Sequence, residues 1–515
     1  MNRIQQSRVL DRHTQIGDLA DSVRWLLRRA FWPAALIMAG ESAFLFFTGS
    51  PGAPAFGLIA LGTLIVLGLW RTGGIGLPIV PLIAIQNLVV YGLPIVIGHE
   101  VLDSYPASDV TRAGVEVLIF SCCLAGAWRL GMALFPPATA LSHALRGFKQ
   151  ESSVRLKRLG FGLICGASLY LLLESLDLLA GFLALVPEGS YSLITALVSA
   201  AGACGFFLVA MFVGTRDISV AGRFLFWGLL AGSCFINAAG FLLSTTTGLL
   251  AAVLIGLFWS SGRMPWRYVA VVILVLSFLN LGKFTMRDRY WTVEDEQAPH
   301  FTLGQMPSHY AEWIQASYDS IAPESPRGAL PDSDGKPVKG QSLLERVNNL
   351  QNLLFVIDAM DAGHIPPLHG QTYELIPPLL MPRIFWPNKP RTHEGQILLN
   401  VHFGRQDLDA TFQTYIAWGL LPEAYGNFGP RAGAICLGAC LGLMFAWAEA
   451  FSARKLLLSL EGFIAFTILL CMMSSYEMVA SVLVTTVFQS VVVLIIACFP
   501  FVERTALERP AADSP

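Results

Sequence analysis

The sequence predicts an all-α polytopic membrane protein: about 12 transmembrane helices, with a large part-helical outer loop before the last three. Three observations predict it. Of 515 residues, 54% are hydrophobic and 14% charged, against about 25% charged in an ordinary soluble domain, and the mean hydropathy is +0.58. Apolar runs near or above roughly 18 residues recur along the chain, the length a helix needs to cross hydrocarbon. They are too long and too uniformly apolar to be barrel strands, which are short and alternate. Finally, Lys and Arg collect on alternate connections, as the positive-inside rule requires.

Taken in order, spans are predicted near 32–49, 54–70, 77–98, 112–134, 159–186, 191–213, 223–243, 245–260 and 267–282, then 431–449, 456–475 and 479–500. A residue 1–31 segment precedes them. It carries mixed polar residues and no small-residue cleavage pattern, so it reads as a cytoplasmic segment rather than a cleavable signal. Within it Ser22 to Phe31 is basic and partly amphipathic, suited to the membrane surface. Residues 224–260 form one apolar run that would make a helix of about 55 Å; two spans joined by a tight turn fit the bilayer better. Residues 32–283 thus hold spans one to nine, 284–430 the outer loop with a re-entrant segment, 431–500 the last three spans, and 501–515 a cytoplasmic tail.

Orientation follows from the cations. Arg24, Arg28, Arg29, Arg71, Arg146, Lys149, Arg155, Lys157, Arg158, Arg216, Arg223, Arg263 and Arg267 share one side if the N-terminus is cytoplasmic. Thr411 to Tyr425 is apolar enough to cross. Crossing would place Arg454 and Lys455 outside, so a segment that dips into the outer face is preferred, which requires a cavity beside it. In the loop, 308–318 and 343–362 carry helical patterning, whereas Pro323 to Gln341 is rich in Pro, Gly and Asp.

Charges within spans must face protein or water. Glu116 and Arg129 read as interface residues that snorkel. Glu174 and Asp177, three apart, share a helix face and form a structural pair or the wall of a polar path. The nine cysteines fall in or beside apolar spans, so no disulfide framework is implied. Cys436 and Cys440, four apart, read as small core residues. A net charge of −2 gives no basis for nucleic-acid binding.

The densest polar cluster lies at 380–433. It begins LMPRIFWPNKPRTHEGQ, with Arg383, Lys389 and Arg391 on the outer side, against the orientation bias. Such cations anchor to headgroups or recognise phosphate. Phe385 and Trp386 form an aromatic patch for an interface or a sugar face. His393, Glu394 and His402 add acid/base groups. The cluster ends GLLPEAYGNFGPRAG, where Glu423, Tyr425 and Asn427 stand at spacing two. They could bind sugar hydroxyls, or equally cap and orient the helix.

MPRIFWPNKP followed by GLLPEAYGNFG resembles the bacterial oligosaccharide repeat-unit polymerases, the O-antigen polymerase family. The resemblance rests on Pro382, Arg383, Trp386, Pro387, Lys389, Pro390, Glu423, Tyr425, Asn427, Phe428 and Gly429, and on the topology along most of the chain. It implies a glycosyltransferase C-like membrane enzyme acting on undecaprenyl-diphosphate-linked oligosaccharides at the outer face of the bacterial inner membrane. It implies no nucleotide sugar, cofactor or metal, and a flippase and a chain-length regulator as pathway partners. Such a reaction needs positive charge where the diphosphate leaves. Arg383, Lys389 and Arg391 are the expected clamp, with Arg112, Arg287 and Arg289 as more distant cations. His393, Glu394, His402 and Glu423 are the expected acid/base residues, and Trp386, Tyr425 and Asn427 the sugar contacts. An O-antigen-ligase-type transferase would share this apparatus. A lipid-linked sugar transporter would show paired halves, which the sequence lacks.

Overall fold

The computed structural model describes residues 16–135, 153–179, 190–241, 243–261, 264–290, 301–321, 348–381, 386, 389–413, 416–455 and 460–498. Among them every regular element is helical. The first nine long helices are α1 (Ile16–Phe47), α2 (Ala53–Gly73), α3 (Ile79–Val96), α4 (Ala107–Leu134), α5 (Ser153–Ser175), α6 (Ser190–Gly214), α7 (Val220–Ala238), α8 (Leu243–Ser261) and α9 (Trp266–Tyr290). Outer-region helices follow: α10 (Met306–Asp319), α11 (Leu350–Asp361), α12 (Gln371–Glu374), α13 (Ile376–Leu380), α14 (Glu394–His402), α15 (Leu408–Gln413) and α16 (Leu420–Phe428). The chain then runs through α17 (Ala432–Ser452), α18 (Leu460–Ser475) and α19 (Ala480–Cys498). Nine described helices are long and apolar enough to cross a membrane, and three shorter apolar ones lie within α8, α18 and α19. The molecule is therefore an all-α, multi-pass membrane protein.

The central packing unit is α4 against α2 and α17. Small residues make it possible. A Cβ on Gly438 would stand 2.7 Å from the Phe120 carbonyl oxygen, and one on Gly442 2.5 Å from that of Leu124. Backbones approach this closely in membranes because packing, not hydrophobicity, joins helices there. At the far end of α17 the Glu449 carboxylate accepts hydrogen bonds from Trp70 Nε1 (3.1 Å), Trp128 Nε1 (2.8 Å), Ile75 N (2.6 Å) and Gly76 N (3.3 Å). A buried carboxylate persists only with such a full set of donors. It ties α17 to α2, α4 and the α2–α3 connection.

A second unit packs α5, α6, α7 and α8 around Phe206 and Phe226. The stacked rings of Phe207 and Phe466 join it to α18. A third pairs α9 with α10 around Trp313, whose Nε1 donates to Leu279 O at 2.7 Å. Midway, α3 opens into a π turn at Leu88–Gly92. Pro94 has no N–H for the Val90 carbonyl four residues back. That carbonyl instead accepts the Asn349 N–H at 3.0 Å, which fixes the start of α11.

Several expectations are corrected. The run 224–260 is two helices with a turn at 239–241, as predicted, but the fifth span ends earlier than expected, at Ser175. Asp177 sits in the following turn at φ 57°, so it does not share a helix face with Glu174. Cys436 and Cys440 are exposed, because α17 buries Gly433, Leu437, Gly438, Leu441 and Gly442 instead. Glu116 does not snorkel; it is buried at 2% exposure.

Candidate functional site

The EAYGNF stretch folds as α16, nine residues and about 13 Å long. It is therefore far too short to cross a bilayer. Gly419 (φ 87°) and Gly429 (φ 79°) bound it in conformations that residues with a Cβ avoid. At 100° per residue, Glu423 and Asn427 share one face and Tyr425 points the opposite way. That division explains what the three residues do.

On the first face, Glu423 is fully buried. Its Oε1 accepts from Thr372 Oγ1 at 2.7 Å, and its Oε2 accepts the Ala480 N–H at 2.6 Å. The second bond caps the first turn of α19, where the helix dipole favours a negative group. Burial pushes the Glu423 carboxyl up to about 7, against the lowering by those two donors. Asn427 Nδ2 donates to Thr372 Oγ1 (2.9 Å) and to Glu423 O (2.8 Å), and its Oδ1 accepts the Gly370 N–H (3.1 Å). Leu368 and His369 donate their N–H groups to the carbonyls of Gly426 and Asn427 at the end of α16. Both polar side chains on this face are engaged in holding α12, α16 and α19 together.

On the other face, Tyr425 is buried and its hydroxyl bonds nothing. It lies in electrostatic range of Arg112, Glu116, Asp361 and Asp109. Desolvation holds its phenol well above the ordinary value. Arg112 and Glu116 in turn line a cleft of about 600 Å³ together with Ser108, Thr111, Val115, Pro430 and Arg431; Tyr425 itself is not part of that lining. Arg112 is ion-paired with Asp361 of α11. Arg431 has φ 61°, unusual for a non-glycine residue. Its backbone N–H is held by both oxygens of Glu116, at 3.0 and 3.1 Å. The cleft thus lies where the first turns of two long helices, α4 and α17, meet.

The other predicted residues lie elsewhere. Arg383 lies outside the described residues, as do Pro382, Phe385 and Pro387. Lys389 Nζ donates to the carbonyls of Leu379 (2.9 Å) and Met381 (2.8 Å), capping α13 as a cation at a helix C-terminus does. Arg391 and Trp386 are exposed. His393 Nδ1 is 2.7 Å from Gln396 Oε1, Glu394 opens α14 half-buried, and His402 Nε2 is 2.8 Å from the Pro366 carbonyl oxygen. Arg287 is half-buried on α9 and Arg289 is ion-paired with Glu312 of α10. Of the predicted cations among the described residues, Arg112 alone lines the cleft, and none of the four acid/base candidates does.

Sequence reasoning missed Arg431, Thr372 and the role of Glu116. The one available signal was a charged residue placed directly after Gly429-Pro430 at the mouth of a span. It also missed Arg405, whose Nη1 donates to Asn352 Oδ1 (2.7 Å) beneath the rings of Phe355 and Trp418, bracing α11 against the α15–α16 connection. Among the described residues no group of three His, Cys, Asp or Glu stands close enough to hold a metal ion.

Fold and contacts together define a polytopic helical membrane protein with a polar junction between its outer region and its last helices. No family model, no characterised protein and no solved structure matches the chain.

Proposed function

We propose that the protein is a membrane glycosyltransferase that polymerises undecaprenyl-diphosphate-linked oligosaccharide repeat units at the outer face of the inner membrane. In this reading about twelve helices cross, both termini are cytoplasmic, and residues 284–430 form the outer cap. The acceptor sugar hydroxyl attacks the anomeric carbon of the growing chain. The carbon–oxygen bond to the diphosphate breaks, and undecaprenyl diphosphate leaves with the electron pair. The hydroxyl proton passes to a base; both oxygens of Glu423 already accept hydrogen bonds, and His393, Glu394 and His402 are the candidates that stand outside the cleft. A flippase and a chain-length regulator are the partners this chemistry calls for.

The observation that carries the reading is the fold of the EAYGNFG stretch, the stretch on which the resemblance rests. It is a buried strut whose unbonded hydroxyl, Tyr425, lies in electrostatic range of Arg112, a residue that lines a cleft at the start of α4. Such preorganisation is what a reaction with charge developing on a leaving diphosphate requires.

The test is the size distribution of the surface glycan in a strain lacking the gene. Single repeat units in place of long chains, with long chains restored by the wild-type gene, are expected. Long chains retained on the lipid carrier would assign the ligase-type reaction instead, and unchanged glycans would overturn both.

A further inference from the structure

We infer that α1, where it enters the bilayer, carries a site for an anionic phospholipid, in which Arg28, Arg29 and Arg71 take the headgroup phosphate beside the rings of Trp25 and Trp32. The inference needs only that α1 crosses the bilayer and is independent of the proposed reaction.

Helix length sets the level of the site. α1 has 32 residues, about 48 Å of helix, whereas the hydrocarbon is about 30 Å thick. About 20 residues counted back from Phe47 reach Arg28, so Arg28 and Arg29 fall at the headgroup boundary. Helix geometry then gathers the side chains. Arg28, Trp32, Trp25 and Arg29 fall within a sector of about 100° on α1. Leu36, also exposed, continues that sector into the hydrocarbon. Arg71, in the last turn of α2, reaches the same sector. Its guanidinium lies 3.8 Å from the centre of the Phe31 ring and 6.0 Å from that of Trp32. The Arg29 guanidinium lies 4.1 Å from the centre of the Trp25 ring. Of the nine long apolar helices described, α1 buries the smallest share of its apolar stretch, so this face meets lipid.

The charge at this place is uncompensated. Among the described residues none of Arg28, Arg29 and Arg71 forms an ion pair. Asp21, which shares their sector further down α1, is held by Arg24. A guanidinium laid on an aromatic ring gains from the negative face of the ring and keeps its N–H edges outward. Those edges match pairs of phosphate oxygens. At the headgroup level the anion at hand is a phospholipid, and tryptophan rings settle at the same depth. An acidic protein segment would match the charge but not the rings. Trp25 and Trp32, 47% and 66% exposed, sit on the side of α1 that continues into hydrocarbon, where an acyl chain packs and an acidic segment does not.

The test is native mass spectrometry of the full-length protein, purified in detergent and offered equal amounts of phosphatidylglycerol and phosphatidylcholine. Wild type should retain phosphatidylglycerol in preference. Each arginine near the surface contributes about fivefold in affinity for an anionic lipid, so Arg71→Gln should weaken retention about fivefold and Arg28→Gln with Arg71→Gln about twenty-fivefold. Arg267→Gln, which removes an exposed arginine at the start of α9, should leave retention unchanged. Equal retention of the two lipids by wild type would overturn the site. So would a loss in Arg267→Gln as large as in Arg71→Gln, since that would show attraction by the protein's charge as a whole. A polyglutamate peptide that binds wild type through Arg71, with no preference between the lipids, would assign the patch to an acidic protein segment and refute the lipid. Should the arginine variants not fold, wild type alone decides. Its preference for phosphatidylglycerol should fall as salt rises from about 0.1 M to about 1 M, where screening shortens from about 10 Å to about 3 Å. A preference that salt does not change refutes a site built on these cations.

Discussion

Glu423 is a buried carboxylate with two donors and a carboxyl pushed up to about 7. An unfolded glutamate titrates near 4.3. Between those values the folded protein keeps a proton that the unfolded chain releases. The stability this supplies is complete below about 4.3 and is lost as pH rises through 7, about 4 kcal/mol in all. Thermal midpoints of the purified protein should therefore fall as pH rises from 5 to 8. Glu423→Gln, which keeps the shape, accepts the Ala480 N–H through its amide oxygen and can donate its NH2 to Thr372 Oγ1, should flatten that slope and leave the protein folded at neutral pH. Parallel slopes in wild type and variant would show that another group is responsible. The polar triplet of α16 was visible in the sequence, and so was the choice between sugar binding and helix capping. Its partners were not, because Thr372 and Ala480 lie 51 and 57 residues away along the chain. Arg431 was illegible for a different reason. Its position depends on a left-handed backbone that no residue type there announces.

At the scale of elements, apolar length located the helices well, because crossing hydrocarbon fixes about 20 residues whatever the neighbours. It could not say which face of an apolar helix meets protein. In α17 the cysteines and the glycines are both small, and the sequence reading put the cysteines in the core. The structure buries Gly438 and Gly442 against the backbone of α4 and leaves Cys436 and Cys440 outside. The energetic consequence is asymmetric. Gly442→Ala forces a methyl to within 2.5 Å of the Leu124 carbonyl oxygen, so α4 and α17 must separate. Overpacking of this kind destabilises by about 1–3 kcal/mol. Cys436→Ala removes an exposed thiol and should change stability by less than about 0.5 kcal/mol. Denaturation midpoints of the two variants in the same detergent check the pair. Equal midpoints would mean that α17 does not pack on α4 as described. The break of α5 at Ser175 was equally hidden, since Leu176 and Leu178 continue the apolar run while Asp177 turns the chain back.

For the whole molecule the open question is which way the last helices run, and two backbone hydrogen bonds bear on it. Ile16 N donates to Lys455 O at 2.9 Å, and Gly17 N donates to Ala453 O at 3.0 Å. The first turn of α1 and the end of α17 therefore lie at one face of the membrane. A chain that starts and ends at one face has crossed an even number of times. In the proposed arrangement α1 to α9 and α17 each cross, which satisfies that parity; a further crossing at 411–430 would break it. That stretch also holds two separate helices, α15 and α16, neither long enough to span. It belongs with protein around it, since irregular backbone does not face lipid. In the proposed orientation Arg24, Arg28 and Arg29 in the first half of α1 and Arg71 in the last turn of α2 place the start of α1 in the cytoplasm. A reporter fused after Arg454 should accordingly signal from the cytoplasm, and one fused after Gly404 from the outer side. A cytoplasmic signal at Gly404, or an outer signal at Arg454, would overturn the twelve-helix arrangement. It would also place the Arg112–Arg431 cleft on the wrong side for a lipid-linked sugar that has already been flipped.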